Sequence, residues 1–283
     1  MPKALTEEAI SRFHKDGYLP AIPVLTVDEV ARFRECLDHF EKTWPEHTIK
    51  LKSKAHLFCP WVDEIAHHPG ILDVFEDILG PDLLCWTMAF RIKKPDRRTY
   101  AGWHQDTVYS TVRPIVVFGA LALSDCGTEQ GCLRAIPGSH RWDMLHHTET
   151  GDPDSILVRG QYIDADFDQS TAVDLVLKPG EMALFNNHIV HGSQANLSDD
   201  RRILLLVEMM PAAAHQSSET QESAMLVRGK DDYHHFGTDP RPDAECSPAA
   251  IAAWQDVMAR RGKMLFAGSK IEAYGAYQGL VGS

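Results

Sequence analysis

A chain of 283 residues with 44% apolar content can close a substantial core, as one large domain or two small ones, so global disorder is excluded. Twenty-eight Lys and Arg against 40 Asp and Glu leave a net charge of −12, which argues against holding nucleic acid or an anionic membrane by charge alone. No apolar run approaches the roughly 20 residues that span a bilayer.

Met1 to Glu8 lacks the apolar core of a signal peptide, and the six cysteines form no C-x-x-C pair. The expectation is a cytoplasmic chain with reduced, mostly buried thiols, a small-molecule substrate, and neither nucleic acid nor membrane as partner. In the first third, Thr26-Val27-Asp28-Glu29 fits a capping box, and Val30, Phe33, Leu37 and Phe40 then share one face, which predicts a helix over 27–42. A second stripe through Ile71, Leu72, Phe75, Ile78 and Leu79 starts near Pro69 and stops at Gly80-Pro81, as the asymmetry of helix ends requires.

From about 83 the period changes. Leu84 to Lys93, Ile115 to Leu123, Ala172 to Leu177, Glu181 to Phe185 and Ile203 to Met209 read as strands, separated by turns such as Lys178-Pro179-Gly180. This spacing predicts an antiparallel β-sandwich or barrel. The polar stretch 138–171 has little periodicity and is too long for an ordinary connection, so it reads as a lid. A last helix begins at Ser247-Pro248 and carries Ile251, Trp254, Val257 and Met258. The organisation expected is one domain over 1–283. It has a mostly helical N-terminal region over 1–82, a β core over 83–211 with its lid-like insertion, and a C-terminal segment over 212–283 with one helix.

Fifteen histidines make a metal site worth testing, but chance alone supplies about one His-x-Asp pair in such a chain and this one holds two. His14 and Asp16 lie in an acidic, helix-like segment, where residues two apart point in different directions and cannot share an ion. His104 and Asp106 lie in a segment that can be extended, where both project from one face. His191, 85 residues after Asp106 near the end of another strand-like run, supplies the third ligand, with His188 as the competing choice on the opposite strand face. Two imidazoles and one carboxylate form a facial triad that suits Fe(II) and leaves positions for small molecules.

The following strand starts Arg201-Arg202-Ile203-Leu204. Alternation puts Arg202, Leu204 and Leu206 on one face and Arg201, Ile203, Leu205 and Val207 on the other. An inward arginine offers a planar fork for a carboxylate; the competing reading pairs both arginines with Asp199 and Asp200.

Taken in order, several motifs resemble the phytanoyl-CoA dioxygenase family of Fe(II)/2-oxoglutarate-dependent oxygenases. They are Phe13 to Tyr18, Leu79-Gly80-Pro81, Trp103-His104-Gln105-Asp106, Gly131 to His140, Lys178-Pro179-Gly180-Glu181, and His191-Gly192-Ser193 followed by Arg202. The resemblance covers nearly the whole chain. It implies a double-stranded β-helix, or jelly-roll, core with flanking helices. It also implies His104, Asp106 and His191 as catalytic iron ligands, 2-oxoglutarate as cosubstrate with O2, Arg202 on its far carboxylate, and Ser193 as a hydroxyl partner. Some members use an upstream lysine for the cosubstrate, and Lys52 and Lys54 both lie near that place. Related halogenases lack the carboxylate ligand; Asp106 is present, so hydroxylation is the implied outcome.

Tyr109 and Trp142 are candidates for the mouth of the site, with packing as the competing role. Arg134, Arg159 and Arg228 are candidates for an anionic substrate. His146 and His147 read as solvated residues of the lid. Two other functions compete: a catalytically silent metabolite-binding jelly roll, and a Zn-dependent hydrolase built on the same three ligands.

Overall fold

A computed structural model of the chain describes residues 2–108, 112–157, 159–216 and 221–265. In chain order the elements begin with α1 (Glu7–Asp16), β1 (Tyr18–Pro23), α2 (Val27–Thr43), α3 (Pro60–Ala66) and α4 (Pro69–Leu79). There follow β2 (Leu83–Lys93), β3 (Ala101–His104), β4 (Val112–Arg113), β5 (Val117–Ala122), β6 (Leu133–Ala135), β7 (His147–Glu149), β8 (Gln161–Ile163), β9 (Val173–Leu175) and β10 (Glu181–Asn186). The chain closes with β11 (His191–Ser193), β12 (Arg202–Pro211), β13 (His215–Gln216), β14 (Ser223–Arg228), β15 (Gly237–Thr238) and α5 (Pro248–Leu265). Short 3₁₀ turns at Pro45–Lys52 and Ala55–Leu57 join α2 to α3. No helix among the described residues is long and apolar enough to cross a membrane.

The helices form where the pattern demands. At the start of α2 the Glu29 N–H donates to Thr26 Oγ1 at 3.3 Å and the Thr26 N–H donates to Glu29 Oε2 at 2.8 Å, closing the capping box. The helix then buries the four residues of the expected face. In α4, Pro69 occupies the first turn and Gly80 ends the helix; Ile71, Leu72, Val74 and Phe75 are buried, while Ile78 and Leu79 are only half-buried.

A seven-stranded sheet in the order β1-β10-β5-β12-β2-β14-β15 faces a four-stranded sheet in the order β3-β11-β6-β9. Apolar side chains of both sheets, among them Leu84, Phe118, Ala135, Leu175, Phe185 and Leu204, make one core between them. The outer face of the larger sheet carries Ile203, Leu205 and Val207, and it packs on Phe33, Val62, Phe75 and Trp254 of α2, α3, α4 and α5. This is the jelly roll with flanking helices. A bulge where Thr87 pairs with Glu208 and Cys85 with Met209 puts both Trp86 and Thr87 on the inner face of β2.

Two features depart from the expected layout. Three strands of the larger sheet come from outside 83–211: β1 pairs with β10 at one side, and β14 pairs with β2 towards the other, with β15 beyond it. β1 carries Pro20 and Pro23, which an outer strand tolerates, and β14 is a six-residue Ser-Ala-Met-Leu-Val-Arg stretch without a period-two signal. The stretch 138–171, which carries little sequence period, holds paired strands: β7 and β8 run antiparallel within it, and Tyr162 of β8 packs so closely on Gly102 that an added Cβ there would lie 3.0 Å from it.

The turn into β10 is tightly held. Gly180 sits at φ +89°, its carbonyl accepts from the Val24 and Leu25 N–H groups, and an added Cβ would stand 2.7 Å from the Leu25 carbonyl oxygen. Gly180→Ala should therefore destabilise the fold by about 1–3 kcal/mol through left-handed strain and backbone overlap. Urea unfolding should show a lower midpoint at unchanged slope, and an unshifted midpoint would mean that this turn relaxes freely.

Candidate metal centre and cavity

β3 and β11 run antiparallel with His191 directly opposite His104, so both imidazoles leave the smaller sheet on one face with ring centroids 4.1 Å apart. β3 ends at His104, and Asp106 opens the 3₁₀ turn Asp106–Val108. The carboxylate thus reaches the histidines through a turn rather than by plain strand alternation. His104 Nε2 lies 3.4 Å from Asp106 Oδ1 and His191 Nε2 lies 3.3 Å from Asp106 Oδ2. One ligand atom from each of the three residues falls within 4.8 Å of the others.

The tautomers are set by the backbone. His104 Nδ1–H donates to the Gly102 carbonyl at 2.8 Å and His191 Nδ1–H donates to the Ile189 carbonyl at 3.0 Å. Both Nε2 lone pairs are then free to face Asp106, as metal-binding histidines require. Burial, then the neighbouring His104, pushes His191 down to about 4, so it is neutral at ordinary pH. Burial works against the Asp106 carboxylate, but His191 and His104 outweigh it and hold its pKa below the usual value.

Gln105, between two of these residues, points away from them. Its N–H donates to His147 Nε2 at 3.0 Å, its Oε1 accepts from the Leu145 N–H at 2.9 Å, and its Nε2 donates to the His188 carbonyl at 3.1 Å. His147 is therefore a half-buried, hydrogen-bonded residue of β7, not a solvated one. His188 is not brought to the triad: its ring joins the Thr107 hydroxyl and donates to the Trp142 carbonyl at 2.9 Å. His14 sits in the last turn of α1, outside the cluster.

Arg202 faces inward and is fully buried, whereas Arg201 faces outward and pairs with Asp38 and Glu41 at 2.5 and 2.7 Å. Arg202 Nη1 donates to the Gly131 carbonyl at 2.6 Å, and its Nε has no partner among the described residues. Beside it Lys93, also fully buried, donates from Nζ to Ser193 Oγ at 2.7 Å and to the Gln194 carbonyl. Burial, then Arg202, pushes Lys93 down to about 6. Among the described residues no carboxylate pairs with Arg202 or Lys93. The buried guanidinium of Arg202, with its Nε unpartnered, fits an incoming carboxylate.

The two upstream lysines are unlike each other. Lys54 Nζ donates to Asp239 Oδ2 at 2.6 Å and to the Ser223 carbonyl at 2.7 Å, which ties it up behind the sheet. Lys52 lines the same cavity as His104, Asp106, His191, Ser193 and Arg202, and burial with Arg91 and Lys94 nearby lowers it to about 8.

The other candidates fall elsewhere. Arg228 is held by Asp73 and Glu76, Arg134 by Asp174, and Arg159 lies 3.5 Å from Glu149. Trp142 is 38% exposed beside Phe167, outside this cavity, and Tyr109 lies outside the described residues. Residues that the sequence left unmarked line the far end of the cavity: Trp86, Thr87, Glu208 and Arg261.

The sequence profile of phytanoyl-CoA dioxygenase (PhyH) matches residues 13–204, which span every residue of the triad together with Ser193 and Arg202. The chain belongs to this family of Fe(II)/2-oxoglutarate-dependent oxygenases. Among its relatives, a probable phytanoyl-CoA dioxygenase of Caenorhabditis elegans is 27% identical over 152 residues, covering 50% of this chain and 48% of that protein. The chain spans about half the length of several such relatives. The L-proline trans-4-hydroxylase of Streptomyces griseoviridis is 23% identical over 226 residues, 71% of this chain and 84% of that one. In structure the family member resembles the apo form of the non-heme monooxygenase ThoJ, with TM-score 0.81 and 28% identity over 91% of this chain and 97% of that one.

The donor set fits the Fe(II) of this family: two imidazoles whose Nδ1 is taken by backbone carbonyls, with Nε2 free, and one carboxylate on one face. Calorimetric titration with Co(II) as a redox-stable stand-in should give one site per chain. Asp106→Ala or His191→Ala should weaken it by about 100-fold or more, and His14→Ala should leave it unchanged. Retained affinity in both triad variants would place the ion elsewhere.

Proposed function

We propose that the protein is an Fe(II)- and 2-oxoglutarate-dependent dioxygenase that hydroxylates an unactivated C–H bond of a small-molecule metabolite or biosynthetic intermediate, releasing succinate and CO2. The observation that carries this reading is the shared cavity in which the His104, Asp106 and His191 donors meet a fully buried Arg202 without a carboxylate partner among the described residues. His104, Asp106 and His191 would hold the iron. Arg202 would take the far carboxylate of 2-oxoglutarate, with the Ser193 hydroxyl beside it. When bound, Fe(II), 2-oxoglutarate and O2 supply the oxidising power for C–H cleavage.

The chain itself contributes position and dryness. Leu133, Phe118, Phe185, Leu204 and Leu206 give the cavity apolar walls that exclude water and hold a substrate carbon near the triad. Asp106 would take the place on the iron that a halide needs, which supports hydroxylation over halogenation. The names of the monooxygenase and proline hydroxylase relatives, which are matched over most of their own lengths, support oxygen insertion.

Anaerobic addition of Fe(II) and 2-oxoglutarate should produce the weak visible charge-transfer band of a chelated keto acid, and a folded wild type without it would count against the proposal. Succinate release should vanish in Asp106→Ala. A catalytically silent fold predicts no release under any substrate, and a Zn hydrolase predicts turnover without 2-oxoglutarate.

Arg202→Ala should raise the 2-oxoglutarate requirement by roughly 30-fold or more, because losing a buried charge-assisted contact costs about 2 kcal/mol or more. An unchanged KM for 2-oxoglutarate in that variant would move the anion site away from β12.

A further inference from the structure

The cavity has a second charged end. The inward positions of β12 run Arg202, Leu204, Leu206 and Glu208, and their partners on β2 are Lys93, Arg91, Ala89 and Thr87. The floor therefore passes from Arg202, over Leu204 with Arg91 beside it and Leu206 with Ala89 beside it, to a carboxylate about 20 Å along the strand from Arg202 at ~3.3 Å per residue.

Glu208 is 4% exposed and lines this cavity. Its cationic neighbour Arg261, from α5, stands 3.9 Å away through Nη2. The closer contact of Arg261 goes to Glu222 Oε2 at 3.0 Å, an oxygen that also accepts from the Trp86 indole N–H at 2.6 Å. Arg91, the next cation along the floor, donates to the Lys52 and Phe90 carbonyls instead. Two carboxylates thus share one guanidinium, and the deficit falls on Glu208: among the described residues nothing donates a hydrogen bond to its side chain. A buried ionised carboxylate in that condition is costly unless something else supplies positive charge or donors. Burial pushes Glu208 up to about 7 even against Arg261 and Arg91, as this shortage predicts.

We propose that Glu208 is the docking point of the substrate, and that the substrate presents to it a positively charged nitrogen: a protonated amine, an amidinium or an alkylated ring nitrogen. This rests on the oxygenase reading and names the substrate class for it. The two ends of the floor then sort the two organic ligands by charge. The Arg202 end attracts the dianionic cosubstrate and repels a cation, while Glu208 does the reverse, so neither ligand settles in the other's place. Leu204, Leu206 and Ala89 lie between them, with Arg91 beside Leu204, in the cavity that the triad also lines, where a cationic substrate would carry its C–H bond.

The test compares benzylammonium with benzyl alcohol, which are alike in shape and differ in charge. Each is titrated calorimetrically into protein loaded with Zn(II) and 2-oxoglutarate, so that no turnover occurs. Wild type should bind benzylammonium about tenfold or more tightly, equivalent to about 1.4 kcal/mol. Glu208→Gln should reduce the two probes to parity, and Glu208→Asp should keep a smaller preference, which also serves if the Gln variant folds poorly. Equal affinity in wild type, no heat from either probe, or a preference that survives Glu208→Gln would overturn the proposal. Failure of the wild type to take up the metal and 2-oxoglutarate would instead count against the oxygenase reading. On metal-free protein the fall in preference from wild type to Glu208→Gln would still decide Glu208, because any attraction to Asp106 is common to both, and no fall would overturn the proposal.

Discussion

The pairing of β3 with β11 is the constraint on which the site depends. It sets His104 opposite His191, and in each case the Nδ1 proton goes to the carbonyl two residues earlier in the chain, Gly102 or Ile189. Backbone geometry thus fixes the tautomer and ring direction of both imidazoles at once, without a carboxylate partner behind either ring. A one-residue slip of the register would send one ring to the other face of the sheet and leave Asp106 facing a single imidazole. Gln105 reinforces the arrangement from outside: its backbone and side chain are bonded to His147, Leu145 and His188, so the turn that aims Asp106 is anchored in the hairpin stretch that packs over β3.

Burial of charge divides the cavity from the rest of the protein. Lys54 and Asp239 are both buried, yet their charges balance at 2.6 Å, so that pair belongs to the architecture. Arg202 is equally buried, but its Nη1 donates to the Gly131 carbonyl and its Nε has no partner among the described residues, so its charge is left uncompensated. Glu208 shows the opposite deficit at the other end. Unbalanced charge of both signs in one cavity lowers stability, and a ligand that restores the balance gains affinity by the same amount.

Much of the fold was legible because long apolar patterns have few solutions. The capping box and stripe of α2, the Pro69 and Gly80 ends of α4 and the alternation of β12 all follow from sequence spacing. Strands of three residues such as β6, β9 and β11 carry no readable period, and they exist through their pairing with neighbours. The same holds for β7 and β8, which is why the stretch that contains them read as an aperiodic lid. Arg202 could be told from Arg201 by its strand face together with the family resemblance. Lys52 could not be told from Lys54, because the left-handed backbone at Lys54, φ 54°, turns the chain between them.

The far end of the cavity left a weaker trace that is nonetheless physical. On α5 the buried positions Trp254, Val257 and Met258 continue by helical spacing to Arg261, so a guanidinium stands where the stripe calls for an apolar side chain. On β12 the inward alternation that begins at Arg202 reaches Glu208 after two leucines, again a charge at a core position. Either violation alone reads as a tolerated buried ion. Only the fold shows that the two converge in one cavity with Trp86, because the bulge in β2 turns that ring inward and because α5 crosses from the chain's far end. Charged residues that break an apolar pattern on separate elements thus mark cavity-lining positions here, whereas the triad's own spacing is common enough to occur by chance.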